Sequence, residues 1–529
     1  MSENLKNQKA AIPLSKGRMW AVLIALMLST MMPCFAANGR ATVLPTMMAE
    51  LNGMAYYTLI EVLASLAMSI TMPIAGKLGD LYGRRKLMLI SQLGFIVSML
   101  VICLGPNVFA VAAGVFLSGM FYGFLSPSVR AMVGEVCPPD TRSTFIGIST
   151  SAEYAGILLG PIVAGVFSDF GVWRGMYAVC IPVVLIASLI IFLSLPRSVD
   201  RTVEGAALDV RGTVAFLFAL SPLLLVLNTT GTLITKGSAV FWGCIALSVA
   251  GFVLLALWEK NNPNAVIPLW LLKNGKFLRV FIVVFALMFS YITTVYYAVY
   301  IQNVRGLSAT LSGTLLVPRG IVSLCMGAII GWFMSKTGKY KRILVGEAVI
   351  LVVYCTMFAF FNANTPIALF EIATLLWAVG YGGAITIGVS LAQDTVKSKD
   401  LGVASSLILF VDPFSYAVAA AAAGQLVNHV WGKAANVIPE SLKTALSPEH
   451  YNALLNQATL KSANTISAIR GALPGDLQGV LDTTIAALRE QLMGGIRAVC
   501  LMCLALAVVS LLMAFTLKEE EKKKTQPAA

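Results

Sequence analysis

The sequence predicts an all-α, polytopic membrane protein with 14 transmembrane helices. Of its 529 residues, 58% are apolar and only 12% are charged, and the mean hydropathy is +0.83. Apolar runs of about 20 residues recur along the chain, and each is long enough to cross about 30 Å of hydrocarbon. Because lipid offers the backbone no hydrogen bonds, such runs are stable in a membrane only as helices that pair their own peptide groups.

Short polar or glycine- and proline-containing connectors separate the predicted spans. The first apolar run follows four basic residues, as the core of a secretion signal would, but it is too long for such a core and no small-residue cleavage site follows it. We therefore interpret it as a retained first span. The predicted spans are 19–38, 54–76, 86–105, 107–134, 145–168, 173–195, 211–230, 237–257, 277–302, 309–335, 341–361, 366–392, 401–428 and 493–516.

Basic residues fall mainly in every second connector. Most of the 38 Lys and Arg residues lie in the two tails and in alternate loops, whereas the remaining short loops carry little besides Arg174, Lys236 and Arg305. This asymmetry predicts that both termini face the cytoplasm. The net charge of +13 is then directed at anionic lipid headgroups, so no nucleic-acid partner is expected.

One connector is far longer than the others. Residues 429–492 show helix-like spacing of apolar side chains over 450–473 and again over 477–492. We expect an amphipathic hairpin that lies on the outer surface. A substrate lid or a docking element for a partner is the alternative.

Several classes of protein are disfavoured by what the sequence lacks. Nine cysteines are scattered through the apolar runs, and the two histidines, His429 and His450, have no metal-ligand spacing. There is no nucleotide-binding loop and no HExxH motif. The sequence therefore indicates neither an enzyme nor a metal site, and it contains no segment large enough for the sensory domain of a receptor.

Two loops repeat one motif. "GKLGDLYGRRK" (76–86) follows the second span and "GWFMSKTGKYKR" (331–342) follows the tenth, and each has two glycines seven residues apart followed by basic residues. The glycines allow a tight turn, and the basic side chains anchor the loop at the membrane interface. Asp80 of the first copy is replaced by Ser335 in the second. Such a repeat is typical of a transporter built from two halves with its site between them.

At these residues the chain resembles the major facilitator superfamily, whose loop after the second helix reads G-x-L-x-D-x-x-G-R-R/K. In the fifth span, "GILLGPIVAG" (156–165) is similar to the antiporter motif of the drug exporters in that superfamily. Two extra spans (211–257), "YIQ" (300–302) and "ASSLILF" (404–410) resemble its fourteen-helix drug:proton antiporter branch. The residues assigned to conformational motifs by this resemblance are Gly76, Asp80, Gly83, Arg84, Arg85, Gly156, Gly160, Pro161 and Gly165.

The resemblance implies a proton-driven exporter of amphipathic compounds that works by alternating access. We expect a monomer in a cell membrane of bacterial type, without a cofactor beyond the proton gradient. The resemblance also implies two pseudo-symmetric six-helix bundles with two inserted helices between them. The expected divisions are a cytoplasmic tail (1–18), an N-terminal bundle (19–200), the inserted helices (201–260), a C-terminal bundle that includes the long connector (261–516), and a second cytoplasmic tail (517–529).

The chain departs from this branch at the positions that usually couple protons. The acid of the first helix would fall at Ala36, and Arg40 stands one helical turn further on. The arginine of the fourth helix would fall at Val115, and Arg130 lies further along the same helix, nearer the cytoplasm. In the thirteenth span, Asp412 stands where related sequences often carry an arginine. The coupling residues must therefore be sought among the other ionisable groups.

Charged groups inside the spans are candidates because a charge at the membrane centre costs roughly 2.5–3.5 kcal/mol. Glu61, Glu153 and Asp412 are the candidate proton carriers, since desolvation favours the neutral form of a carboxyl group. Arg40 and Arg319 are candidates for binding an anionic group of the substrate. Depth along the helices predicts that Arg319 lies near Asp412, and Arg40 near Glu61. Ion pairs that only clamp helices together are the alternative.

Aromatic and acidic residues near the ends of spans are less specific signals. Tyr297, Tyr300 and Gln302 in the ninth span could contact an amphipathic substrate, with packing or interface anchoring as the alternative. Four acids near span ends are expected to be solvated at the interface: Glu135, Glu347, Glu371 and Asp394.

Two functions remain open, and both involve a small-molecule substrate and the lipid bilayer. The antiporter motif favours proton-coupled export of drugs or other amphipathic molecules. Arg40 and Arg319 favour a carrier of organic anions, such as carboxylated metabolites or steroid acids, which could run inward.

Overall fold

The computed structural model describes residues 14–517 apart from 52, 54–55, 139, 197–208, 231–233, 261, 263–264, 266–268, 308, 397–399 and 462. Within these residues the chain is helical and forms no β-strand. The predicted tails 1–18 and 517–529 therefore fall largely outside the described residues. The α-helices are α1 (Lys16–Glu50), α2 (Tyr57–Tyr82), α3 (Arg84–Leu104), α4 (Val108–Val136), α5 (Arg142–Asp169), α6 (Arg174–Ser194), α7 (Val210–Thr229), α8 (Ala239–Glu259), α9 (Leu269–Lys273), α10 (Gly275–Phe289), α11 (Ile292–Val299), α12 (Ala309–Thr337), α13 (Tyr340–Phe360), α14 (Ile367–Gly382), α15 (Ala384–Asp394), α16 (Leu401–Trp431), α17 (Glu440–Ala445), α18 (Pro448–Leu454), α19 (Ala463–Gly471) and α20 (Gly475–Thr516).

The predicted fold class is confirmed. Among the described residues, 13 helical segments are long and apolar enough to cross a membrane. The predicted second span corresponds to α2, whose apolar part, Leu63–Gly79, is shorter than the others. The count of 14 spans therefore stays a prediction.

Two predicted spans are built from broken helices. The ninth consists of α10, α11 and a π-helix (Tyr300–Val304), and its break lies at Ser290, whose hydroxyl donates to Leu287 O at 2.7 Å. Such local side-chain bonds compete with the helical ladder. The twelfth consists of α14 and α15, and its break at Gly383 follows Gly380 and Gly382, which make the helix easy to interrupt.

The long connector is not a single hairpin. Residues 450–473 contain two short α-helices and a 3₁₀-helix, whereas 477–492 form the first turns of α20 and run without a break into the last span. The segment is docked on the π-helix of the ninth span, since Asn303 Nδ2 donates to Gln457 O at 3.0 Å. It also folds back on the end of α16, where Trp431 Nε1 donates to Leu455 O at 2.8 Å.

The end of the bundle that carries Arg84, Arg142 and Lys339 is called the basic end below. Here α5 and α12 contact each other closely. Thr144 N and Oγ1 lie 3.0 and 2.7 Å from Ser335 Oγ, and Ser151 Oγ accepts from the backbone N–H of Ala328 at 3.0 Å.

Glycines make a second close contact between the halves at the basic end, where α2 meets α16. A Cβ atom on Gly76 would lie 2.7 Å from Gly402 O, so only glycine fits this position. The contacts of α5 with α12 and of α2 with α16 hold the two halves together at the basic end.

The antiporter-like segment of α5 contacts α1 rather than the other half. A Cβ atom on Gly160 would lie 2.9 Å from Gly39 N, and one on Gly156 would lie 3.0 Å from Phe35 N. Pro161 lies in the same helix. A Cβ atom on Gly165 would have no neighbour within 4 Å, so close packing involves only the first two of the three glycines.

Candidate functional site

A cavity of about 290 Å³ lies between the two halves. It is lined by α1, α2, α4 and α5 on one side and by residues of α7, α14, α15, α16 and the α10–α11 break on the other. Its polar and aromatic lining comprises Cys34, Asn38, Ser65, Ser69, Tyr122, Ser126, Arg130, Thr150, Glu153, Tyr154, Tyr291, Tyr381, Asp412 and Tyr416.

The N-terminal half contributes a buried ion pair to this cavity. Arg130 on α4 donates from Nη2 to Glu153 Oε2 at 2.5 Å and from Nη1 to Glu153 Oε1 at 3.0 Å. Ser126 and Tyr122 complete the arrangement, with Ser126 Oγ accepting from Arg130 Nη1 at 2.7 Å and Tyr122 Oη donating to Glu153 Oε1 at 3.3 Å. Two parallel hydrogen bonds hold the guanidinium and the carboxylate in a fixed geometry. The pair therefore contributes dipoles but no net charge.

The C-terminal half contributes a carboxyl group without a cationic partner. Asp412 lies on α16 and accepts a hydrogen bond from Tyr381 Oη at 3.2 Å. It makes no ion pair with any residue that the structure describes. Pro413 follows directly and lacks a backbone N–H, so the helix is locally weakened beside this carboxyl group.

Tyrosine rings form much of the remaining wall. The ring of Tyr291 lies 5.7 Å from that of Tyr381 and 5.6 Å from that of Tyr416, while Trp377 stacks on Tyr381 at 4.5 Å. Aromatic faces carry negative charge density and attract cations. The wall is therefore suited to an amphipathic or cationic ligand.

Tyr297, Tyr300 and Gln302 lie away from the cavity lining. Tyr297 is buried and donates to Glu371, and Tyr300 donates to Thr365 O at 2.9 Å. The Tyr300 ring also stacks on Phe370, with the centroids 3.5 Å apart. These contacts favour the packing interpretation of this cluster.

The two arginines proposed to bind anions are also outside the lining. Arg319 stands over the ring of Trp377, at 5.0 Å from its centroid, and within the described part of the chain it forms no ion pair with Asp412. Arg40 is buried on α1. The side chain of Glu61 is outside the described residues, so its expected proximity to Arg40 stays a prediction.

The second glycine of the repeated loop motif has a positive φ in both halves. Gly83 has φ +91° and Gly338 has φ +67°, a region of backbone conformation that favours glycine. Arg84 pairs with Glu135 at 2.7 Å, and Arg85 donates to Phe192 O at 2.9 Å, so both arginines clamp neighbouring helices. The side chain of Asp80 lies outside the described residues.

The acids near span ends differ from one another. Asp394 is exposed, Glu135 is paired, and Glu371 accepts from Tyr297. The prediction of a solvated Glu347 is wrong: this residue is only 3% exposed, because α13 packs its inner face against α14, α15 and α12. Helix packing of this kind cannot be read from position along a span.

Sequence reasoning missed much of the polar lining, although a signal was present. On α4, Tyr122, Ser126 and Arg130 recur every four residues and so share one helix face. On α5, Glu153 and Tyr154 lie three and four residues after Thr150, so these three also share one face. Polar stripes of this kind on apolar helices indicate surfaces that face a cavity rather than lipid.

Two helical halves that enclose a cavity with charged and aromatic walls define a membrane transporter. Residues 26–420 match the family model of the Major Facilitator Superfamily, and the chain belongs to this superfamily. Transporters of this superfamily bind small molecules within the bilayer, so the protein is a multi-pass membrane transporter and not an enzyme.

Proteins similar in sequence are also described as transporters of this superfamily or as efflux pumps. The chain is 25% identical over 406 residues to the MFS efflux transporter aclA of Aspergillus oryzae, covering 75% of this chain and 74% of the relative. It is 27% identical over 418 residues to the efflux pump dotC of Dothistroma septosporum, covering 77% and 71%. In fold it is similar to the human organic anion transporter MFSD10 (TETRAN), with a TM-score of 0.57, 14% identity, and coverage of 92% of this chain and 99% of that one.

Proposed function

We propose that the protein exports amphipathic small molecules in exchange for protons, and that Asp412 is the carboxyl group for which substrate and proton compete. The observation that carries this proposal is the charge of the cavity. Arg130 and Glu153 neutralise each other, which leaves Asp412 as the lining carboxyl group without a cationic partner in the described residues. The cavity as a whole therefore favours a cation.

The physical basis of coupling is the cost of an isolated charge inside a membrane, roughly 2.5–3.5 kcal/mol even by modest estimates. An ionised Asp412 in a closed cavity needs a positive partner. Either a bound proton or a cationic substrate satisfies this need, and the tyrosine faces add a cation–π attraction for the substrate. If Asp412 binds either a proton or the substrate but never both, the protein carries substrate in one direction and a proton in the other.

Glu153 is the less suitable proton carrier of the two acids that line the cavity. Protonation of Glu153 would leave Arg130, which is 1% exposed, as a buried cation without its partner. We therefore assign the N-terminal pair a positioning role, in which Tyr122 and Ser126 keep its geometry fixed.

Export is the direction suggested by the names of the relatives and by the antiporter-like segment of α5. In this proposal the chain works as a monomer in a cell membrane, with its basic end facing the cytoplasm. Because the two halves are in contact at the basic end, the cavity is directed to the outside. The two efflux proteins compared above are fungal, so a bacterial membrane stays a prediction from sequence.

The organic-anion hypothesis lacks a supporting site in this cavity. It was based on Arg40 and Arg319, which do not line the cavity, and Arg130 is already paired. A cavity that selects anions would require Arg130 to leave Glu153.

The test uses two ions of matched shape and opposite charge, tetraphenylphosphonium and tetraphenylborate. In proteoliposomes with an imposed pH gradient, we expect the wild type to transport tetraphenylphosphonium, and Asp412→Asn to lose the pH dependence while remaining folded. Glu449→Gln, an exposed carboxyl group on α18, is the matched control and should behave as the wild type.

Two results would overturn the proposal. Unchanged pH dependence in Asp412→Asn would exclude this residue as the coupling group. Preferential binding or transport of tetraphenylborate would favour the organic-anion hypothesis instead.

A further inference from the structure

A second carboxyl group is buried outside the cavity. Glu347 lies two turns into α13 from the basic end and is 3% exposed. Within the described residues, neither of its carboxyl oxygens has a hydrogen-bond partner, and the backbone of Gly383 lies beside the group. No part of the proposed transport mechanism uses this residue.

The Glu347 carboxyl group lies between α13 and the break that separates α14 from α15. The group contacts Gly383 at the α14–α15 break, which also contacts the side chain of Ile330 on α12. Tyr154 of α5 lies within electrostatic range of Glu347. Within the described residues, Glu347 makes no ion pair or side-chain hydrogen bond with the other ionisable side chains of the helices packed around it, which include Lys336 and Arg319 on α12, Glu371 and Tyr381 on α14, Asp394 on α15, and Glu490 and Arg497 on α20.

An ionised carboxylate in such a place is costly, and real proteins avoid this cost by neutralising the group. A neutral Glu347 carries a proton. It is also placed two turns from the basic end, where separation of the halves would admit water. The same side chain is thus dry while the basic end is closed and able to reach water when it opens.

Glu347 also contacts the α14–α15 break, which lies between a cavity residue and a contact with the other half. Tyr381, which donates to Asp412, stands two residues before Gly383, and Thr386, which donates to Thr150 of the other half at 3.2 Å, stands three residues after it. A Cβ atom on Gly383 would clash with the Glu347 carboxyl group and with Ile330. The carboxyl group therefore touches the break that joins the cavity to the contact between the halves.

We propose that Glu347 is a second proton-binding residue, protonated while the basic end is closed and ionised when that end opens. Its proton passes to water at the basic end on opening and returns on closing, so acid favours the closed conformation. This inference deepens the proposed proton coupling and rests on it for its role in transport, although proton binding by Glu347 can be measured without transport.

Infrared difference spectroscopy on the purified full chain tests the proton directly. We expect the wild type at neutral pH to show a C=O stretching band of a protonated carboxyl group that disappears in Glu347→Gln and persists in the exposed-site control Glu449→Gln. Absence of any band that depends on Glu347 would overturn the proposal. If Glu347→Gln cannot be purified, Glu347→Leu removes the carboxyl group at similar volume.

Hydrogen–deuterium exchange tests the link to conformation. Peptides covering 142–151 and 327–337 report opening of the basic end, and variants are compared with the wild type at the same pH so that intrinsic rates cancel. At alkaline pH we expect several-fold slower exchange in Glu347→Gln than in the wild type, and equal exchange at acidic pH. Equal exchange at both pH values, or faster exchange in the variant, would overturn the link.

Failure of this proposal is distinguishable from failure of the proposed function. If Asp412→Asn loses pH-driven transport while Glu347→Gln shows neither spectroscopic nor exchange differences, only the second proton site is wrong. If the Glu347 band and the exchange effect are present but Asp412→Asn transports normally, the assignment of Asp412 is wrong and Glu347 stands.

Discussion

The two halves of the molecule each place a carboxyl group in the same cavity, but the hydrogen-bond partners of the two groups differ. Glu153 in the N-terminal half is held by Arg130 through two hydrogen bonds, whereas Asp412 in the C-terminal half has only the hydroxyl of Tyr381. A paired carboxylate is fixed in charge, and an unpaired one is free to exchange a proton for a cation. In the proposed mechanism, Asp412 rather than Glu153 is the coupling residue because it has no permanent cationic partner, although both line the same cavity.

The largest effect should come from breaking the N-terminal pair. Arg130→Met leaves Glu153 buried without its cation, and loss of one partner of a buried pair costs about 3–5 kcal/mol. We expect a clear loss of thermal stability of the purified protein. The double variant Arg130→Met/Glu153→Leu should regain most of that stability. Equal instability of the single and double variants would contradict the idea that an uncompensated charge is the cause.

An intermediate effect is expected at Asp412, the cavity carboxyl group of the C-terminal half. Tyr381→Phe removes the hydroxyl that donates to Asp412 at 3.2 Å, and a hydrogen bond of this kind contributes about 0.5–1.5 kcal/mol. Because the hydroxyl stabilises the ionised form, its loss should let protons compete better. Half-maximal binding of tetraphenylphosphonium should move to higher pH, which binding titrations at several pH values would detect. A move to lower pH would be inconsistent with this role.

The smallest effect on transport should come from a tyrosine outside the cavity. Tyr300→Phe removes a hydroxyl that donates to Thr365 O at 2.9 Å, so a stability loss of about 1 kcal/mol is expected from the unpaired carbonyl. The pH dependence of tetraphenylphosphonium binding should match the wild type. Since both tyrosine variants lose one hydroxyl, a shift of the pH midpoint in Tyr300→Phe as large as in Tyr381→Phe would mean that the shift does not report on Asp412.

The fold could be predicted from sequence because hydrocarbon thickness and backbone hydrogen bonding leave few options for apolar runs. The same physics explains why Glu153 and Asp412 were recognisable as site residues, since charged groups are rare inside spans. Their partners were not predictable. Counting residues gives the height of a side chain in the membrane but not the direction in which it points, so Arg319 was matched to Asp412 by depth although it faces Trp377.

The burial of residues near the ends of spans could not be predicted from the sequence either. Glu347 stands a few residues from Lys341 and Arg342, and a basic neighbourhood suggests solvent. What removes water from Glu347 is the glycine-lined surface of the α14–α15 segment, which is distant in sequence and lets α13 approach closely. A pattern within one helix cannot reveal the surface of its neighbour.

The unbroken α20 makes the surface segment and the last span a single rod. At 1.5 Å per residue, its 42 residues extend about 63 Å, roughly twice the thickness of the hydrocarbon layer. A tilt of the part inside the membrane would therefore swing the part outside it. We expect an antibody fragment that clamps the outer turns of α20 to resist a tilt of the last span.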